Sequence, residues 1–261
     1  MIPVNPTEPF ITQVSRYGGD SVAGVAPQSF SFATASVGSD GFTSEIVAPV
    51  SSGGGAQNWV VVTNTAGVAT TALVEFLNYN ANVVQSSTIT LAANGQATFD
   101  AASLFPGGTS GVVKVTPQGA EAIIVDSMFY FFKADGSVSA AYISQAEPNY
   151  STPKYGSYNT FLGQQNWLKL YNDNTVPVTV TISVNQLGLI APAVPLGSTT
   201  ITLAPMSGVD AELQATLGFA IPADTFGTVE VSASSNDVFA EILRLRNFGG
   251  FIDLAKAVPV R

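Results

Sequence analysis

The chain has 261 residues, of which 46% are hydrophobic and only 10% charged, with a net charge of −9 and neither histidine nor cysteine. Five lysines and four arginines scattered along the chain form no basic stripe, which argues against nucleic-acid binding, because displacing phosphate counterions takes clustered cations. Without imidazole or thiol, Ser-His-Asp and Cys-His nucleophiles and the usual zinc or copper sites are excluded.

What faces water must be mostly Ser, Thr, Asn, Gln and Gly, which lose their hydration at lower cost than Lys or Glu and so favour large contacts between subunits. No run approaches 18 apolar residues, so no membrane span is expected despite a positive mean hydropathy. Met1 to Phe10 carries neither a basic n-region nor an apolar h-region and does not read as a secretory leader.

In chain order, residues 1–50 read as an N-terminal arm. They carry prolines at 3, 6, 9, 27 and 49, with possible strands at Gln28 to Val37 and Gly41 to Val47. An extended apolar arm of this kind folds back on its own chain or pairs with the edge strand of a neighbour. Phe10, Phe30 and Phe32 are its candidate interface residues. No counterpart of this arm is expected elsewhere in the chain. Ser51 to Gly55 reads as a flexible linker.

The rest repeats. Gln57-Asn58-Trp59-Val60-Val61-Val62 returns 108 residues later as Gln165-Asn166-Trp167-Leu168-Lys169-Leu170. Thr90-Leu91-Ala92 returns as Thr202-Leu203-Ala204, and Gly111-Val112-Val113-Lys114-Val115 as Gly227-Thr228-Val229-Glu230-Val231. The offset grows slowly along the chain, as loop insertions in a second copy would produce, with Leu187 to Leu196 as their site. Short alternating runs rich in Val, Thr, Ile and Phe, broken by turn signals such as Asn94-Gly95, Asp135-Gly136 and Asn172-Asp173-Asn174, predict antiparallel strands. The expected fold is therefore all-β: two tandem antiparallel β-sandwiches, immunoglobulin-like or jelly-roll-like, over 51–148 and 149–261. Helical turns are expected only at Ala101 to Phe105 and Ala211 to Gly218.

One contrast between the copies stands out. Phe129-Tyr130-Phe131-Phe132 is apolar on both strand faces, whereas the matching Leu243-Arg244-Leu245-Arg246 alternates. A strand does not expose three aromatics without a partner, so Tyr130 and Phe132 are expected beneath the arm or another subunit and complete the candidate assembly interface.

Signals for chemistry are few. Asp100, Glu121, Asp126, Glu212, Asp237 and Glu241 are the carboxylates that could serve a glycosidase, but their matching places in both copies suggest strand ends and turns. No phosphate loop or dinucleotide fingerprint is present, and no cofactor is expected. Calcium could bind at Asn172-Asp173-Asn174 or near Asp135, although turns attract Asn and Asp for backbone reasons alone. Trp59 and Trp167 could be sugar-stacking platforms, but their identical setting at the start of each copy argues for core positions on the first strand.

The Asn-bearing first strand, Thr71-Ala72-Leu73-Val74, the Thr-Leu-Ala turn and the late Gly-x-Val-x-Val strand followed by an apolar hairpin resemble bacterial β-sandwich modules. These are immunoglobulin-like surface modules and, more loosely, the sensory-rhodopsin-transducer type. The resemblance spans 55–145 and 163–260 and implies binding or assembly rather than catalysis. The function expected is a non-enzymatic structural protein that assembles with copies of itself, or with other structural proteins, into an extracellular filament, sheath or surface layer. A virion component (capsid, tail or decoration protein) and a carbohydrate-binding or adhesion module are the alternatives.

Overall fold

A computed structural model describes residues 13–19, 30–37, 41–145, 152–188 and 192–260. The fold is all-β, with four antiparallel sheets of four strands and short 3-10 turns. The first sheet runs in the order β3 (Ile46–Ser51), β8 (Ser110–Pro117), β5 (Thr70–Asn78), β6 (Val83–Leu91). The second runs β10 (Val138–Gln145), β9 (Ile123–Phe132), β4 (Gln57–Asn64), β7 (Gln96–Asp100). In the second half of the chain, β11 (Lys154–Asn159), β16 (Phe226–Ala233), β13 (Val178–Gln186) and β14 (Val194–Leu203) form a sheet with the order of the first. Likewise β18 (Phe251–Pro259), β17 (Val238–Phe248), β12 (Gln165–Asn172) and β15 (Gly208–Glu212) form one with the order of the second. A separate hairpin joins β1 (Gln13–Gly19) to β2 (Phe30–Val37).

The strands form where alternation and β-branching coincide. In β4, exposed and buried positions alternate along the whole strand, and Val60 and Val62 point inward. They meet Val74 and Phe76 of β5 and Val113 and Val115 of β8 in one apolar cluster, which is β-sandwich packing of two sheets on a shared core. Leu168, Leu170, Val180, Ile182, Val229 and Val231 form the corresponding cluster of the second half. The repeated glycines Gly111 and Gly227 are explained by close approach at the start of β8 and β16. A Cβ at Gly111 would lie 2.6 Å from the Phe105 ring, and one at Gly227 would lie 2.5 Å from the Tyr158 ring.

Two expectations are corrected here. The arm boundary at residue 50 cuts through β3, which pairs with β8 along its length and has a counterpart 108 residues on in β11. The run Ile46-Val47-Ala48-Pro49-Val50 forms a strand despite Pro49, because β3 is an edge strand and an edge tolerates a residue without an amide donor. Nor is the strand order that of immunoglobulin domains, whose first two strands share a sheet, because β3 and β4 lie in different sheets. Ala102–Leu104 forms a 3-10 turn as anticipated, but 3-10 turns also form where none is expected, at Gly53–Gly55 in the segment read as a linker, at Pro106–Gly108 and at Phe161–Gly163.

Candidate functional site: a tryptophan face present twice

In both halves the Gln-Asn-Trp segment opens the second strand, and it is asparagine, not tryptophan, that points into the core. Asn58 and Asn166 are both 0% exposed. Asn58 Nδ2 donates to Ser127 Oγ (2.9 Å) and to the Met128 carbonyl (3.1 Å), and its Oδ1 accepts from the Ser51 amide (3.0 Å). Asn166 makes a two-way pair with the backbone of Asn159, at 2.9 Å each way. A second asparagine closes each strand. Asn64 Nδ2 donates to the carbonyls of Val68 and Ala92, and Asn172 Nδ2 to those of Val176 and Ala204, tying a turn to the strand in both halves. Buried amides with partners of this number hold a backbone path firmly, since leaving them unpaired is costly.

Trp59 and Trp167 therefore face outward, against the core placement expected from sequence. The outer face of the β15-β12-β17-β18 sheet is sealed by the first half of the chain. Trp167, Leu243 and Leu245 pack with Ala56, Phe129, Phe131, Ala140 and Tyr142, and the Phe129 and Tyr142 rings stack at 4.4 Å. Next to them, Tyr171 and Phe239 lie against Val47, Leu77 and Val112. A cavity of about 380 Å³ remains between the halves, walled by Phe129, Phe131, Tyr142, Trp167 and Leu243.

Charged groups cross this contact under low exposure. Lys169 Nζ pairs with Asp210 Oδ2 at 2.9 Å, and Tyr79 of the first half donates to Asp210 Oδ1 at 2.9 Å. Ser144 of β10 donates to the Glu241 carboxylate. Burial raises the Glu241 carboxyl to about 7, against the opposing pull of Ser144 and Lys169. Lys114 of the first half reaches Asp173 at 2.8 Å and Glu45 at 2.9 Å, and burial lifts Asp173 to about 6 despite that lysine. Burial, with Asp210 adding to it, also holds the Tyr79 hydroxyl well above its ordinary value.

The same face of the β10-β9-β4-β7 sheet has different surroundings. Gln57, Trp59, Val61, Gln96, Thr98, Met128, Tyr130 and Phe132 line a shallow groove. Trp59, Tyr130 and Phe132 are half-buried. By strand register, Val61 stands where Lys169 stands, Thr98 where Asp210 does, Asp126 where Glu241 does, and Thr63 where Tyr171 does. The charges of the sealed face are thus replaced, except at Asp126, by neutral residues.

Of the predicted interface residues, Tyr130 and Phe132 come together in this groove. Phe30 and Phe32 are on β2, their side chains outside the described residues, as is Phe10 altogether. The six carboxylates are dispersed over several strands and turns. Asp126 and Glu241 lie within β9 and β17 rather than at strand ends, and the charged neighbours of Glu241 are Lys169 and Asp210, which sequence reading did not single out. In the suggested calcium turns, Asn172 holds backbone groups, Asp173 is paired with Lys114, and Asp135 accepts from Ser137. Among the described residues no three metal-ligating side chains gather.

Comparison with protein-family models, with curated proteins and with solved structures finds no match for this chain.

Proposed function

We propose that the chain is a non-enzymatic structural protein, built as two tandem β-sandwich repeats behind an N-terminal arm, which self-assembles into an extracellular filament, sheath or surface layer. The observation that carries this reading is a pair of long, uncharged sheet edges. β6 (Val-Val-Gln-Ser-Ser-Thr-Ile-Thr-Leu) and β14 (Val-Pro-Leu-Gly-Ser-Thr-Thr-Ile-Thr-Leu) each form the rim of a sheet, and neither contains a charged residue. Soluble monomers guard such rims with charge, proline, bulges, short strands or covering loops, because an open rim is a template for another chain. Pro195 and a register shift near one end of each pairing leave residues 87–90 and 198–202 regularly paired. Here the rims are nine and ten residues long. The low overall charge supports the same reading, since little hydration has to be stripped from charged groups when copies meet.

Negative-stain microscopy and light scattering of the purified full chain test it. Ordered polymers that grow with concentration are expected; a monodisperse monomer at every concentration contradicts the reading.

A further inference from the structure

The sealed and the open tryptophan faces pose a question about what belongs over Trp59. On the second half, the occupant of the equivalent face is the inner side of β9 and β10, the hairpin that ends the first half. Its Phe129, Phe131, Ala140 and Tyr142 cover Trp167, Leu243 and Leu245. If the array is read one repeat backwards, the occupant of the Trp59 face should be the final hairpin of a repeat preceding β3.

The N-terminal residues carry that hairpin. β2 spans Phe30–Val37 and β10 spans Val138–Gln145, so both ends are offset by 108 residues, the same offset that relates β3 to β11, β4 to β12 and β5 to β13. Eight residues separate β2 from β3, and eight separate β10 from β11. Three of the eight positions are identical between the two strands: Ser31 and Ser139, Ala33 and Ala141, Ser36 and Ser144. Each strand is the second arm of an antiparallel hairpin, β1–β2 and β9–β10. Finally, β2 packs beside β10, and β10 packs beside β18, so neighbouring hairpins are related in the same way at both steps.

We infer that the β1–β2 hairpin is equivalent to the β9–β10 hairpin that ends the first repeat, and that the groove of Trp59, Val61, Met128, Tyr130 and Phe132 is its docking site within the same chain. The two faces also differ at the position of Tyr171, which packs against Val47, Leu77 and Val112 and is Thr63 in the first half. By strand register, one residue off the match read from the sequence, the places of Phe129 and Phe131 are taken in β17 by Arg244 and Arg246. Arg244 donates to Ser157, and Arg246 pairs with Asp253 at 2.6 Å. By position, Ser144 and Glu241 correspond one repeat earlier to Ser36 and Asp126.

This inference rests on the repeat relation and not on self-assembly, and its test is independent of polymer formation. The chain has no cysteine, so a Ser36→Cys, Asp126→Cys double variant of the full chain, oxidised at low concentration, reports their proximity without background. An intramolecular disulfide, seen in the mass as the loss of two hydrogens and on a non-reducing gel as a faster-migrating monomer, is expected. No cross-link, or only cross-linked dimers, would overturn docking within the chain. A second measurement uses tryptophan fluorescence. A variant lacking residues 1–40 should show red-shifted emission and at least twofold greater acrylamide quenching, and a peptide of residues 11–39 should reverse both. Unchanged emission and quenching on truncation would equally overturn the inference.

Discussion

Trp59 and Trp167 occupy the same place on the same strand of two sheets with one topology, yet one ring lines a shallow groove and the other packs, partly buried, against the first half of the chain. The sheets themselves do not account for the difference, because their inward faces carry matching asparagines and matching apolar rows. Position in the array does. The second half is covered by the first, and its outer-face residues match that cover: Tyr171, Lys169 and Asp210 stand where the first half has Thr63, Val61 and Thr98. A buried lysine among carboxylates is tolerated only where partners are fixed in place, and the first half fixes them for the second.

The largest asymmetry is predicted for the tryptophans. Trp167→Ala leaves a void in the cluster packed between the halves and should cost about 3–5 kcal/mol, whereas Trp59→Ala, in a shallow groove that faces a two-stranded hairpin alone, should cost roughly 1 kcal/mol. Urea unfolding of the two variants checks the pair, and equal costs would break the comparison. Close behind comes Lys169→Ala, which strands Asp210 beside Glu241 and should cost about 3 kcal/mol; the matching Val61→Ala should cost roughly 1 kcal/mol.

Titration sharpens the contrast further. Glu241 has its folded value raised to about 7 from 4.5, so the folded state binds this proton more tightly than the unfolded chain. Its contribution is fully present below about pH 4.5 and is lost as pH rises through 7, a change of up to about 3 kcal/mol. Asp173, raised to about 6, acts in the same direction. Thermal unfolding should therefore occur at a higher temperature at pH 5 than at pH 7.5, and Glu241→Gln should flatten the difference. A stability that climbs steadily from pH 5 to 7.5 would contradict this assignment.

Much of this was legible in the sequence, and the failures have identifiable causes. The 108-residue offset, the all-β character and the turn positions follow from alternation and turn chemistry. The facing of the tryptophans is legible too: Leu168-Lys169-Leu170 sets the phase, putting Asn166 inside and Trp167 outside, while the uniform Val60-Val61-Val62 run hides it. The general tendency of tryptophan to be buried points the other way, and the period-2 signal is the one the fold follows. The inter-half cluster of Tyr79, Lys169, Asp210 and Glu241 could not have been found, because its members come from four separate strands or turns joined only by the stacking of the halves. The relation of β2 to β10 is faint in the sequence, because the two strands keep only three identities and β2 precedes the first Gln-Asn-Trp segment that announces the period.

The smallest effect on stability, and the largest on assembly, is expected at the sheet rims. Thr88 and Thr200 are exposed on β6 and β14, and a Thr88→Lys, Thr200→Lys double variant should change folding stability by less than about 0.5 kcal/mol while placing a charge on each open edge. The most direct measurement is sedimentation velocity of the full chain beside this variant at matched concentration. Polymers from the wild-type chain and monomers from the variant are the predicted result; identical sedimentation of the two would contradict assembly through the sheet edges.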